Sequence, residues 1–174
     1  MENIEIKYRL FQPDKLTEFL STCPEIESIW TKTQTDTYYQ ISEGRLKLRE
    51  ETSSDGQLIY YQRPDSNNSR ISKYEIYVTP DARALNTILS QSLGLRVVVQ
   101  KVRQLFLYRN VRIHLDRVER LGSFLELESV IGAEVDHQTA NFNLTEIQNI
   151  LFNFLSEPVA VSYADLLLSQ EKDQ

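Results

Sequence analysis

Apolar and polar side chains alternate with period two through most of this chain. Residues 3–10 (NIEIKYRL) set Ile4, Ile6, Tyr8 and Leu10 on one side and Asn3, Glu5, Lys7 and Arg9 on the other, because successive side chains of a strand point to opposite faces. The same rhythm runs through 44–51, 57–63, 70–78, 96–108, 111–118 and 123–131; with 27–41 it predicts about eight strands. Short polar turns such as Ser42-Glu43-Gly44 and Ser53-Ser54-Asp55-Gly56 join them directly, which favours antiparallel neighbours.

Helical spacing interrupts the strands four times. From Pro13 to about Thr22, Leu16, Phe19 and Leu20 share a face. A second helix is predicted over 80–93, with Thr79 as N-cap, Pro80 in its first turn, and Leu85, Ile88, Leu89 and Leu93 buried. Asn143 with Glu146 reads as a capping-box variant ahead of Leu144, Ile147, Leu151, Phe154 and Leu155. Residues 162–169 form a short closing helix carrying Leu166 and Leu167, and the turn formers of 64–69 predict a loop. Trp30 and the Phe residues of the third helix read as core, and packing is the reading for Tyr38 and Tyr39.

Composition narrows the picture. At 174 residues and with 41% hydrophobic side chains, the chain fits one domain, 1–174, with a sizeable interior. Cys23 is the single cysteine, so no internal disulfide forms, and with only His114 and His137 beside it no Cys- or His-rich zinc site assembles. No apolar run has the length of a signal peptide or a membrane span, which leads to the expectation of a cytoplasmic protein without a membrane partner. Net charge is −6 but uneven: from Arg117 onward three basic residues face ten acidic ones, while 96–117 holds six Arg or Lys against Asp116 alone. An acidic chain with one basic stretch argues against nucleic acid as a partner and fits a small polyanion in a local pocket.

The polar faces carry the candidate chemistry. They hold Arg45, Lys47 and Arg49; Lys73 and Glu75; Lys101 and Arg103; Arg112, His114 and Asp116; and Glu126 with Glu128, while Gln62 shares a face with Tyr60. A half-exposed sheet with a solvated polar face accounts for the alternation alone. A closed barrel with helices outside turns the same charges into a cavity, where they require water, a polyanion and a divalent cation as company. Lys and Arg at several heights then meet successive phosphates, and carboxylates hold Mg²⁺ or Mn²⁺.

N-I-E-I-K at 3–7 resembles the E-x-E-x-K signature of the CYTH superfamily of class IV adenylate cyclases and thiamine triphosphatases. T-D-T-Y-Y (35–39), G-R-L-K-L-R-E (44–50), K-x-R (101–103), H-L-D (114–116), L-G-S-F-L-E-L-E (121–128) and S-Y-A-D-L-L (162–167) are similar to its cyclase-type branch. The resemblance implies an α+β fold, an eight-stranded antiparallel triphosphate tunnel with helices packed outside. It implies phosphate contacts from Lys7, Arg9, Lys47, Arg49, Lys73, Lys101 and Arg103. It further implies metal ligation by Glu5, Glu126 and Glu128, catalysis by Glu5, Lys7 and Asp116, and Mg²⁺ or Mn²⁺ as cofactor. The expected activity is hydrolysis of inorganic, nucleoside or thiamine triphosphate, by a monomer or homodimer. Cyclisation of ATP to cAMP and non-catalytic polyphosphate binding are the alternatives. Two departures stand out: Asn3 occupies the place of the first Glu, and Gln62 that of a Lys. His114 beside Asp116 reads as a hydrogen-bonded lining residue.

Overall fold

A computed structural model of the chain describes residues 1–51 and 55–172. Its eight strands are β1 (Glu2–Arg9), β2 (Glu27–Tyr39), β3 (Arg45–Glu51), β4 (Gly56–Gln62), β5 (Arg70–Thr79), β6 (Leu95–Tyr108), β7 (Val111–Val118) and β8 (Gly122–Ile131). They close into one antiparallel barrel in the order β1-β5-β4-β3-β2-β6-β7-β8, so the expected α+β architecture is what the chain forms. The helices are α1 (Pro13–Thr22), α2 (Ala82–Leu93), α3 (His137–Ile150) and α4 (Tyr163–Lys172), with a 3₁₀ turn at Phe152–Phe154. Gly44, at φ +71°, makes the tight turn into β3. Of the turn expected at 53–56, Ser53 and Ser54 lie outside the described residues.

The apolar core lies largely outside the barrel wall. Ile4, Ile6, Ile113, Leu115, Leu125 and Leu127 project outward and are buried under Leu16 and Leu20 of α1 and Ala140, Leu144 and Ile147 of α3. A second cluster fills one end of the barrel from within: Tyr38, Val97, Val99, Val118 and Phe124 meet Tyr163, Ala164 and Leu167 of α4. The closing helix therefore corks the barrel. Toward the other end, β6 replaces its inward Val97 and Val99 by Lys101, Arg103 and finally Leu105 beside Trp30, and the interior becomes polar.

Three helix expectations need correction. Helix α2 starts at Ala82, not Pro80, because the Asp81 carboxylate accepts the Ala84 N–H at 2.9 Å and is the stronger cap; Thr79 still belongs to β5. None of its residues is buried, and Ile88 is 61% exposed. Helix α3 begins six residues before Asn143, at His137, where Asp136 accepts the Thr139 N–H at 2.8 Å. Asn143 lies inside that helix, buried, donating to Asn110. The aromatic rings nearby divide: Phe142 and Phe152 are exposed, and Phe154 packs against Phe19.

The two helices make opposite contributions to stability. Ile113→Ala, beneath α3, lowers unfolding free energy by about 2–5 kcal/mol through lost burial and a residual cavity. Ile88→Ser on α2 stays within about 0.5 kcal/mol. Urea midpoints compare the two, and equal losses would contradict the placement of the core.

Candidate functional site

Strand parity decides which side chains see the interior. Odd positions face inward on β1 (Asn3, Glu5, Lys7), β3 (Lys47, Arg49, Glu51) and β4 (Gln57, Ile59, Tyr61). Even positions do so on β5 (Ser72, Tyr74, Ile76), β7 (Arg112, His114) and β8 (Glu126, Glu128). They surround a cavity of about 460 Å³, inside the usual range for a small-molecule site. Eight Lys or Arg side chains line it against four Glu, an excess of positive charge that suits an anion. The side chains of Lys32 and Arg112 are 36% and 43% exposed, whereas those of Lys7 and Lys101 are 3% and 2% exposed. The cavity is therefore a cup, open near Trp30 and Leu105 and closed by α4.

Two buried aspartates organise the deep cations. Asp36 accepts two bonds from Arg49, at 2.7 and 2.8 Å, and one from Lys47 at 2.9 Å, with Lys101 at 3.5 Å. Asp116 accepts both prongs of Arg103 at 2.6 Å and the Tyr163 hydroxyl at 2.8 Å. Burial alone raises a carboxyl group; at Asp36 the surrounding Arg49, Lys47 and Lys101 overcome it and hold the group well below its ordinary range. Arg103 and Lys101 do the same for Asp116. The cations feel one another: burial and Arg49 lower Lys47 to about 7, and burial and Arg103 lower Lys101 to about 8.

Carboxylates gather on the adjoining strands β7, β8 and β1. Register places Glu126 between His114 and Lys7, and Glu128 between Arg112 and Glu5. Glu126 accepts from Arg103 at 2.8 Å and lies 3.3 Å from Lys7. Burial and the neighbouring Glu126 push Glu5 up to about 7, despite Arg63 at 3.0 Å and Arg70 at 3.3 Å. Burial and Arg103 lower His114. Donor atoms of His114, Glu126 and Glu128 lie within 4.8 Å of one another, a spacing a divalent cation could bridge. His114 is inside as expected, yet its Nδ1 is buried without a hydrogen-bond partner, as is Asn3 Oδ1.

Most sequence candidates converge here: Glu5, Lys7, Lys47, Arg49, Lys101, Arg103, Glu126 and Glu128 line the cup, with Asp116 set behind Arg103. Lys73 does not. It is exposed on the outer face of β5 with Glu75, because the inward parity there belongs to Arg70, Ser72 and Tyr74. Arg9 is also outside; it lies past the corked end, exposed, donating to the Leu121 carbonyl at 3.3 Å and stacked 5.2 Å from the Phe124 ring. Gln62 is exposed and donates to the Tyr60 hydroxyl, whereas Arg63 follows the parity of Tyr61 and points inward. The Gln62 departure therefore takes no charge from the cup, and the Asn3 departure does. Trp30 lines the mouth and is not core. Sequence reasoning missed Asp36, Arg63 and Arg70; an acidic residue amid the polar T-D-T of a long strand was the available signal for the first.

Comparison with known proteins agrees with this geometry. The chain is similar to the PH1012 protein of Pyrococcus horikoshii, with TM-score 0.79 and 20% identity over 94% of this chain and 98% of that one. It is similar to an adenylate-cyclase-like protein of Vibrio parahaemolyticus, with TM-score 0.75 and 17% identity over 95% and 97%. A third similar structure is an adenylyl-cyclase-like protein of Hippeastrum with a dominant triphosphatase activity, at TM-score 0.71 and 14% identity over 97% and 96%. No curated protein matches by sequence. The CYTH domain model matches residues 1–157, and the chain belongs to that family.

Proposed function

We propose that this protein is a divalent-metal-dependent phosphohydrolase acting on a triphosphate. The observation that carries the reading is the clustering of Lys47, Arg49, Lys101 and Arg103 deep in a cup whose adjoining wall holds Glu5, Glu126 and Glu128. The cations sit at successive heights and match a linear chain of phosphates, and Arg103 offers a fork suited to phosphate oxygens. Asp36 and Asp116 preset these side chains, so little reorganisation accompanies binding. The Hippeastrum relative, with its dominant triphosphatase activity, supports hydrolysis over cyclisation.

Glu5, Glu126 and Glu128 would hold Mg²⁺ or Mn²⁺, hard cations that take oxygen ligands. When bound, such an ion neutralises charge on phosphate oxygens. Glu5 would orient the attacking water and accept its proton. Water adds to the terminal phosphorus, the bond to the diphosphate leaving group breaks, and Lys7 and Arg103 stabilise the charge that moves. Asp116 acts by positioning Arg103, since both its oxygens are engaged.

Calorimetry with inorganic tripolyphosphate and a phosphate-release assay with Mg²⁺ or Mn²⁺ test the assignment. Lys101→Ala and Arg49→Ala each weaken binding by about tenfold or more, the usual consequence of truncating a buried, hydrogen-bonded charge. Lys73→Ala and Arg9→Ala, outside the cup, leave it within about twofold. Absence of both binding and turnover in the wild type rejects the proposal.

The lowered Lys47 and Lys101 set the pH response. Both amines gain protons as pH falls from about 8.5 to about 6, so the cup becomes more positive and its affinity for a given charge state of tripolyphosphate rises, by roughly tenfold. In Lys47→Arg the rise shrinks, because guanidinium stays charged throughout. A Lys47→Arg profile with the same pH dependence as the wild type contradicts the assignment.

A further inference from the structure

We propose that His114 is a nitrogen ligand of the tunnel cation, completing with Glu126 and Glu128 a site that prefers a transition-series divalent ion to Mg²⁺. The inference rests on the reading that this cup takes a divalent cation, and it adds a nitrogen donor to the carboxylates of that wall. His114 is 4% exposed, and its Nδ1 has no hydrogen-bond partner, a condition that costs free energy unless another ligand relieves it. Nδ1 points at two carboxylates, lying 3.6 Å from Glu128 Oε1 and 4.0 Å from Glu126 Oε2. These separations are too long for hydrogen bonds. They suit a shared ion: metal–ligand bonds of about 2.1 Å place donor atoms about 3 Å apart at right angles and about 4 Å apart when opposite.

The strands supply the convergence. His114 stands directly across from Glu126 on β8, and Glu128 lies one inward position further along that strand toward the mouth. Asn3, on β1 at the same side of the barrel, brings a neutral oxygen that is buried and unpartnered, so the amide alone leaves the wall one negative charge short of a Glu. Imidazole nitrogen joins the oxygen donors of that wall. Mg²⁺ keeps to oxygen ligands and near-ideal octahedral geometry, whereas imidazole is a good ligand for the transition series, so a mixed nitrogen and carboxylate set discriminates between them.

Electron-spin-echo envelope modulation of Mn²⁺ bound to the full chain, with a methylene-bridged triphosphate analogue that contains no nitrogen, reads the ligand directly. The expected spectrum shows ¹⁴N modulation from a directly bound imidazole, which disappears when the protein carries ¹⁵N-labelled histidine. Only two histidines exist, and His137→Gln keeps the signal while His114→Gln loses it. His114→Gln also weakens Zn²⁺ by about tenfold or more relative to Mg²⁺ in competition. Mn²⁺ and analogue bound with phosphorus coupling but no histidine nitrogen overturns this inference and leaves the triphosphate reading intact. Failure of the analogue to bind rejects both. The labelled wild type decides the matter even where His114→Gln does not fold.

Discussion

The structure depends on compensating charge inside a closed barrel. A buried ion without a partner costs several kcal/mol even after the protein relaxes, so a strand face rich in Lys, Arg and Glu cannot simply be turned inward. Asp36 and Asp116 meet that constraint by each serving more than one cation: Lys47, Arg49 and Lys101 crowd the first, Arg103 and Lys101 the second. The sharing is deliberate in its effect. One carboxylate among several cations keeps them in place without neutralising them, and the surplus positive charge is what an anionic guest would meet.

That solution explains why the apolar residues are distributed as they are. With the interior given to charge, Ile4, Ile6, Leu125 and Leu127 turn outward and need α1 and α3 as a cover. The remaining interior volume is closed by α4, whose Tyr163 belongs to both worlds: its ring packs on Phe124 at 4.9 Å while its hydroxyl donates to Asp116. Asp165, in the first turn of the same helix, accepts from Arg45 and Arg96 and fixes the cork to β3 and β6. The deepest ion pairs thus lie beside this cork, in the least solvated part of the cup, where electrostatic interactions are strongest.

Parity made much of this legible in the sequence. On β1, β3 and β8 one parity is largely apolar and the other largely ionisable, so Glu5, Lys47 and Glu126 could be assigned to one face without coordinates, and on β6 Lys101 and Arg103 share a parity with Val97 and Val99. On β4 and β5 the signal failed because both parities mix types. Tyr60 and Tyr61 are adjacent aromatics, and Arg70, Ser72 and Tyr74 alternate with Ile71, Lys73 and Glu75. The outer side of β5 is open to solvent at Ile71, 43% exposed, so Lys73 beside it fits water while the cup takes its neighbours. Helix starts failed for a different reason: several residues near Thr79 and Asn143 can cap, and only geometry shows that Asp81 and Asp136 do so. Asp36 was hidden by polar threonines on both sides of it.

The pairing that stabilises the cup also shapes how it would receive a guest. Glu126 is held by Lys7 and Arg103, so a cation can claim that carboxylate only as those two side chains loosen. A triphosphate offers Lys7 and Arg103 new acceptors at the moment the cation offers Glu126 a new partner. Each guest alone would leave one side of the Glu126 pairs stranded, whereas both together would exchange them for new partners. The free energy of binding either is therefore linked to the presence of the other, and linkage of this kind is reciprocal. On the proposed function, metal and polyanion would enter together, because either alone would strand buried charge.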